Sequence, residues 1–456
     1  MPKADRLFIR LKEIVGEAHM IQDLDRLKAF AIDGKKPRVI VVPGAIDEVS
    51  KVVAYAGQEH LGIVPRGNGT KMEMGGIPRK MDIVLSTRRL CRITDSDCEN
   101  LTLSSEPGIT LDQAQKKLAK IGRGYFLPLD PPFTDKATLG GIVATNSSGP
   151  KRLLYGTARD LIIGMKTVFP NGDVVVSGGK TVKNVSGYDM CKLLIGSYGT
   201  LGILCEMTFK LLPLPEKEAT SLLFFKRLEE ADGFTREMRG SQLIPSSLEI
   251  LNAQAVQNMK YPVSMPSGGN YLVAIGLEGV PESVDRQVSE LSEMGKKREA
   301  IETARLDSDR HLVFWISIRD FAVGLTEKYP NAISLKSNVL VSKSGEILGS
   351  YEKITRELGM DGAFISHAGN GMIYAYILTG KNFRFKVESL VELIGKLKAV
   401  AAKSEGNLVV ESSPLSIKKK VEVWGRSGSG DAIIRRLKEQ IDPAGILNIG
   451  RFVGGV

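Results

Sequence analysis

"PRGNGTKMEMGG", residues 65 to 76, is the stretch on which the fold reading turns. Gly62 to Val64 reads as a short strand, followed by a loop in which Gly67 and Gly69 flank Asn68, with Thr70 next. Consecutive backbone N–H groups in such a loop can form a concavity for an anion. Glycine reaches the required dihedrals and carries no side chain to hold a phosphate off, while Thr70 adds a hydroxyl donor. A tight turn calls for the same residues, so both readings stand at this point.

A second loop weighs against the turn. "ATLGGIVATNSSG" (137 to 149) joins Gly140-Gly141 to Asn146, Ser147, Ser148 and Gly149, and "GSYGTLGI" (196 to 203) makes a third. Three Gly/Ser/Thr loops in one region suit a long ligand with several polar groups, such as a dinucleotide. Two nucleotide motifs are excluded. "SGGKT" (177 to 181) has Val174 where a P-loop needs its first glycine, and Met72 stands where G-x-G-x-x-G needs its last.

Around these loops the pattern is α+β. Ile46 to His60 has helical apolar spacing, with Asp47 and Glu48 in the first turn as the macrodipole favours. "MDIVLSTRRL" and "NLTLSSEPGIT" read as strands, and "LDQAQKKLAKIG" as a helix with Gly122 as its C-cap. "IIGMKTVFPNGDVVVSGG" is a hairpin turning at Asn171-Gly172. The proline-bearing "LLPLPEKEAT" marks a boundary near residue 215. Beyond it, residues 216–425 alternate strands such as "SLLFFK", "GNYLVAIGLEG", "SLKSNVLVS" and "MIYAYILTG" with charged helices such as "VDRQVSELSEMGKKREA" and "NFRFKVESLVELIGKLKAVAAKSEG". That suits an antiparallel sheet with helices. Residues 426–456 read as a helix, a Pro-containing turn and an apolar end that docks back on the first domain.

Composition narrows the function. A length of 456 residues suits two or three domains. No apolar run of about 18 residues is present to span a membrane, and the acid-bearing amphipathic start is unlike a secretory signal. Cys91, Cys98, Cys191 and Cys205 make no CxxC pair or iron–sulfur run. A reducing cytoplasm is therefore expected, and any iron–sulfur centre belongs to a partner. The net charge of +10 is dispersed rather than gathered in runs with aromatics, which argues against nucleic acid. It leaves open an acidic partner, anionic lipid, an anionic ligand or a merely solvated surface.

In order and spacing, "VPRGNGT", "ATLGGIVATNSSGP", "KTVKNVSGYDMCKLLIGSYGTLGI" and the terminal "DPAGILNIGRF" resemble the FAD-linked oxidases of the vanillyl-alcohol-oxidase type. Within that family the likeness is to the glycolate oxidase/D-lactate dehydrogenase branch. The resemblance implies a two-part FAD-binding domain over 1–215, with an antiparallel-sheet substrate (cap) domain over 216–425. It implies that Pro65, Arg66, Gly67, Asn68, Gly69, Thr70 and Gly76 hold FAD, with Pro131, Thr138, Gly140, Gly141, Ala144, Asn146, Ser148 and Gly149. Gly202 and Ile203 would face the adenine half, and Asn448 in the tail completes the set. Relatives with covalent flavin place a histidine in the first loop; none stands here, so non-covalent FAD is expected.

An α-hydroxy acid also needs cations for its carboxylate, best of all a bidentate Arg. "VFWISIRDF" resembles the family's W-x-x-R-E helix, making Arg319 that clamp, and "SLKSNVLVS" a family strand whose Lys is Lys336. "ISHAGNGMIYAYI" (365 to 377) resembles a motif H-x-G-D-G-N-x-H that gathers with a later Glu around a divalent metal or the substrate. His367 keeps the first position, but Asn370, Met372 and Tyr374 replace Asp, Asn and the second His. The later E-H-G-x-G reads "ESSPL", with Glu411 kept and Ser412 in place of His. Two such groups make a poor zinc site, so no bound divalent metal is expected.

Two readings follow. In one, the chain oxidises a small 2-hydroxy acid by hydride transfer to flavin N5, with His367 or Tyr374 as base, and passes electrons to an iron–sulfur or electron-transferring flavoprotein partner. In the other it is an electron-relaying FAD subunit of a glycolate-oxidase-like complex, without substrate chemistry of its own. Either way it is a cytoplasmic protein, peripheral to a membrane only through a partner.

Overall fold

The computed structural model describes residues 3–121, 124–179, 188–380, 385–425, 428 and 430–456. The C-cap expected at Gly122, all of "KTVKNVSG" and the first residues of "NFRFK" lie outside them. The chain forms two compact units. The first comprises Met1–Ser148, Thr157–Leu214 and Ser427–Val456; the second comprises Gly149–Gly156 and Pro215–Arg426. The short segment 149–156 thus groups with the second unit, a return that no composition shift announces.

In the first unit, β1 (Met20–Ile21), β2 (Val39–Val41), β3 (Ile63–Arg66) and β4 (Ile83–Ser86) form one sheet in the order β1-β2-β4-β3. β2 and β3 both run parallel to β4. The helix Ile46–Gln58 makes the crossover between β2 and β3, burying Val49, Val52, Val53 and Ala56 along one face. Each fully buried valine there contributes about 1.5–3 kcal/mol. Strand β3 runs to Arg66, two residues beyond the end expected from sequence.

A second sheet is antiparallel. It holds β5 (Ile93–Asp97), β6 (Thr102–Ser105), β8 (Ile162–Val168), β9 (Val174–Gly178) and β10 (Ile203–Lys210) in the order β5-β6-β10-β8-β9. Between them in sequence, β7 (Tyr125–Phe126) pairs with β11 (Leu212–Pro213). The β8–β9 hairpin turns at Asn171-Gly172, where Gly172 takes a positive φ of 91°. "ATLGGIVATNSSG" is not all loop: Leu139–Thr145 is a helix capped by Thr138, whose Oγ1 accepts the Gly141 N–H, and it ends at Asn146 in the left-handed region.

The chain terminus returns to the first sheet. Ile446–Asn448 runs beside β3, with Ile63 N–H donating to Ile446 O and Asn448 N–H to Ile63 O. A buried clamp holds it. Lys438 Nζ donates to Asp442 Oδ2 (2.5 Å), Thr200 O (2.7 Å) and Leu447 O (2.9 Å), while Asp442 accepts the N–H groups of Ile446 and Leu447.

The second unit is built on one eight-stranded antiparallel sheet. Its strands are β12 (Lys217–Phe225), β13 (Ser247–Asn252), β14 (Tyr271–Gly279), β15 (Glu302–Asp307), β16 (Ile333–Asn338), β17 (Gly362–His367), β18 (Met372–Ile377) and β19 (Asn407–Ser412). Their order is β15-β12-β14-β13-β17-β18-β16-β19. One face packs on the long helices Leu228–Arg239, Pro281–Lys297, Ser344–Glu357 and Val387–Lys403. The other packs on Ser308–Arg319 and Phe321–Lys328 through Phe314, Trp315, Ile318 and Phe321.

Candidate functional site

A groove opens in the first unit, where the end of β3, the helix 139–145 and the start of β10 converge. From the first loop its walls take Pro65, Arg66, Gly67, Asn68, Gly69 and Thr70; from the second, Thr138, Gly140, Gly141 and Ala144. Gly202 and Ile203 enter from β10, and Asn448 from the tail. The structure thus brings together residues that the sequence scatters over some 380 positions.

The remaining expected cofactor residues stand elsewhere. Gly76 faces the tail, where an added Cβ would lie 2.1 Å from Gly450 O. Pro131 O accepts the Thr134 hydroxyl, and Asn146 caps the helix. Ser148 ends the first unit's opening segment, and Gly149 begins the segment belonging to the second.

The groove's glycines serve packing more than ligand approach. A Cβ on Gly67 would lie 2.2 Å from Thr138 Oγ1, and one on Gly140 would lie 2.5 Å from Pro107 Cβ. Their absence lets the two loops close on each other. Sequence reasoning missed Tyr198 and Arg451, which also line the groove. Tyr198 O accepts Asn448 Nδ2 (2.6 Å); Arg451, almost wholly buried, donates to Met72 O (2.7 Å) and Gly76 O (3.0 Å). Arg451 sits inside the quoted "NIGRF", but nothing in that string says its side chain turns inward.

The charges suit a dinucleotide's diphosphate. The walls carry Arg66, Lys71 and Arg451 and, among the described residues, no carboxylate. The Arg66 guanidinium lies 4.3 Å over the Phe30 ring, and burial, then repulsion from Arg88, lowers its pKa. Arg66 Nε and Asn448 Oδ1 are buried without a hydrogen-bond partner among the described residues. An orphaned donor and an orphaned acceptor in a cationic groove fit a ligand with phosphates and amide-like edges. Residues Arg66, Thr70, Thr138 and Asn448 are placed to hold it.

The second unit gathers most of the other candidates on one sheet face. Register partners share a face because side chains alternate along a strand. Glu249 pairs with His367 across β13 and β17, Ile365 with Tyr374 across β17 and β18, and Lys336 with Tyr374 across β16 and β18. His367 Nδ1 lies 2.7 Å from Glu249 Oε1, and both side chains are nearly sealed from solvent. The His367 and Tyr374 rings meet edge to face at 5.1 Å, with Lys336 Nζ 5.8 Å from the centre of the Tyr374 ring.

Burial, with Glu411 adding, pushes the Tyr374 hydroxyl well above its ordinary pKa; burial alone does the same to the Glu249 carboxyl. Glu411 sits where β19 slips register against β16, between Val410 and Ser412. Arg319 ends the helix Ser308–Arg319, where its Nη2 bonds Asp320 Oδ2 at 3.0 Å. Its described partner is thus that neighbour rather than the His367 group.

Two residues on this face escaped the sequence reading. Glu249 sits in "SSLEIL", an ordinary strand pattern. Arg152 reaches β18 from the segment 149–156, its Nη1 donating to Met372 Sδ at 3.1 Å. That segment is pinned by Lys151, whose Nζ lies 2.7 Å from Glu278 and 2.9 Å from Glu218, and by Tyr155 OH donating to Glu278 (2.5 Å). Burial would lower the Lys151 pKa, but Glu278 and Glu218 together raise it. Among the described residues, Glu218, Glu278 and His311 form the one trio close enough to share a metal ion, and the Lys151 ammonium already serves its two carboxylates.

Residues 37–178 match the FAD binding domain family, and residues 214–452 match the C-terminal domain of the FAD linked oxidases. The chain is 28% identical over 420 residues to the glycolate oxidase subunit GlcD of Bacillus subtilis (strain 168), spanning 91% of this chain and 89% of that one. It is 29% identical over 427 residues to the D-lactate dehydrogenase of Archaeoglobus fulgidus, spanning 91% of each. Among solved structures, p-cresol methylhydroxylase with substrate bound superposes with a TM-score of 0.74 at 17% identity, over 99% of this chain and 97% of that one. Such identity speaks to fold alone, and the fold is of the vanillyl-alcohol-oxidase type. No helix among the described residues is long and apolar enough to cross a membrane.

Proposed function

This chain belongs to the FAD-linked oxidases, and on that premise we propose that it oxidises a small 2-hydroxy acid, hydride passing to flavin N5 and electrons onward to a protein partner. Bound FAD supplies the hydride acceptor. The groove's orphaned Arg66 Nε and Asn448 Oδ1 support non-covalent binding there, as do walls that carry no histidine or cysteine among the described residues. An iron–sulfur or electron-transferring flavoprotein is the partner that accords with four cysteines in no cluster spacing. No divalent metal is required: the second histidine of the related motif is Tyr374, and a protonated phenol is a poor ligand.

The observation that carries the reading is the enclosed Glu249–His367 pair beside Tyr374 and Lys336. Lys336 would hold the substrate carboxylate by charge, and Arg319 would join it only by leaving its neighbour Asp320. Tyr374 keeps its proton, because burial and Glu411 both oppose the phenolate, so it donates rather than accepts. His367 is left as acceptor of the hydroxyl proton when hydride leaves the same carbon.

The electron-relaying alternative draws support from Tyr374 and Ser412, which stand where the related motifs carry histidine. Anaerobic addition of glycolate, D-lactate or D-2-hydroxyglutarate to the FAD-loaded chain separates the two. We expect the visible flavin band to bleach, and to stop bleaching in His367→Ala with FAD retained. A band untouched by every acid would refute the catalytic reading and leave the relay.

A further inference from the structure

The carboxylate nearest the proposed base is one that no motif marks. Glu249 lies on β13, 118 positions before His367 in sequence, and sheet register alone sets the two side by side. Leu248 O accepts the Ala368 N–H at 2.9 Å, which fixes the end of β17 against β13. Glu249 Oε1 then lies 2.7 Å from His367 Nδ1. Among the described residues no Lys or Arg comes within ion-pair distance of Glu249, and no donor meets hydrogen-bond geometry at either of its oxygens. The 2.7 Å approach to the His367 ring is its one close polar contact there, and a small turn of the ring would make it a hydrogen bond.

A lone carboxylate so enclosed is among the costliest groups a protein can carry, unless it shares a proton or a partner. Structural burial of this kind has no packing benefit over Gln or Leu, yet this acid is placed against one specific ring nitrogen. We propose that Glu249 is the positioning residue of His367: the two share one proton across Oε1 and Nδ1, which locks the imidazole orientation and turns Nε2 toward the substrate. The inference rests on the reading of His367 as the proton acceptor and deepens it.

The proton balance is explicit. With one shared proton the pair is neutral overall, and Nε2 keeps its hydrogen whichever atom holds the shared one. Release of one proton to solvent leaves the Glu249 carboxylate accepting from Nδ1–H, with Nε2 open to take the substrate's hydroxyl proton. The groups that face the pair are Tyr374 and Tyr376 on β18, Lys336 on β16, Arg152 from the segment 149–156, and Glu411 on β19. The two cations favour the released form, while Glu411 opposes it.

The first test needs no turnover. The whole chain, labelled with ¹⁵N-histidine, has only four histidines, and His367→Gln assigns the signal. We expect a strongly downfield Nδ1 proton on His367 that disappears in Glu249→Gln and weakens in Glu249→Asp, whose shorter side chain retreats from the ring. Absence of that proton from the unaltered protein overturns the inference, whatever the variants do.

The second test is kinetic. Glu249→Gln should slow flavin reduction by about a hundredfold or more, as loss of a ring-orienting carboxylate does elsewhere, with KM and FAD content unchanged. Glu249→Gln/His367→Gln should be no slower than His367→Gln alone, because groups that act as a unit are not additive. Multiplying losses, or a Glu249→Gln enzyme as fast as the parent, would sink the proposal. Should no 2-hydroxy acid reduce the flavin at all, the catalytic reading fails while the shared proton is still decided by resonance.

Discussion

Replacing Lys438 with methionine should unfold the first unit's tail from the rest of that unit. The side chain is about the same length and keeps its apolar stem, so the change removes little but the ammonium. Lys438 is 8% exposed and Asp442 not at all, and burial opposes the lysine's charge, lowering its pKa, against the pull of Asp442. Three acceptors lose their donor together: Asp442 Oδ2, Thr200 O and Leu447 O. Breaking a buried pair by removing one partner costs about 3–5 kcal/mol, since the remaining carboxylate keeps the Ile446 and Leu447 N–H groups but no opposite charge. For a unit of roughly 150–250 residues that is a fall in Tm of roughly 6–20 °C. Asn448 hangs from the same clamp, because Asp442 fixes the turn that sets Ile446 and Leu447 beside β3. FAD affinity should therefore drop along with stability. Urea unfolding of the FAD-free chain and a flavin-fluorescence titration measure the two losses. A stability change below about 1 kcal/mol, the level of a single exchanged hydrogen bond, would show that the clamp does not hold the tail.

Asn448→Leu should weaken FAD binding about fivefold, the equivalent of one hydrogen bond near 1 kcal/mol, while leaving the second unit's unfolding unchanged; an unaltered dissociation constant would remove Asn448 from the cofactor site. Flavin reduction should speed up as pH rises, because the base-competent form of the Glu249–His367 pair has one proton fewer and burial holds the Glu249 proton well above the ordinary carboxylate range. In Glu249→Gln the reactive form is simply neutral His367, reached without drawing a proton from a buried carboxyl. The acid limb of a stopped-flow pH profile should therefore move to lower pH; a limb that stays put or moves upward contradicts the shared proton.

The first unit was the more legible in sequence, for a local reason. Glycine loops and caps are set by dihedral preferences a few residues long, so "PRGNGT" and the Asn171-Gly172 hairpin announce themselves. What stayed hidden is tertiary. The helix inside "ATLGGIVATNSSG" is masked by Gly140-Gly141, poor helix formers, and is held by the Thr138 cap and by packing of Gly140 on Pro107. Arg451 joins the groove only because the tail lies along β3, where Asn448 Nδ2 also donates to Tyr198 O. In the second unit β13, β15 and β17 were not singled out. β13 carries no turn signal because it pairs with β14 and β17 only across long connections, whereas β17 does turn tightly into β18 through Asn370-Gly371.

That hidden pairing changes how the altered histidine motif should be weighed. By sequence, His367 stands among losses: Tyr374 for one histidine and Ser412 for another. Those losses count against a metal, which needs several ligands in one small sphere. They count much less against proton transfer, which needs one titratable nitrogen, a fixed ring and a means of setting its charge. Glu249 supplies the last two from β13, Tyr374 bounds the ring at 5.1 Å, and Lys336 stands across it. A motif written along one strand pair cannot record a partner contributed by a third strand. The erosion visible between residues 365 and 377 is thus an erosion of metal ligation, and acid–base capacity has to be judged from the sheet.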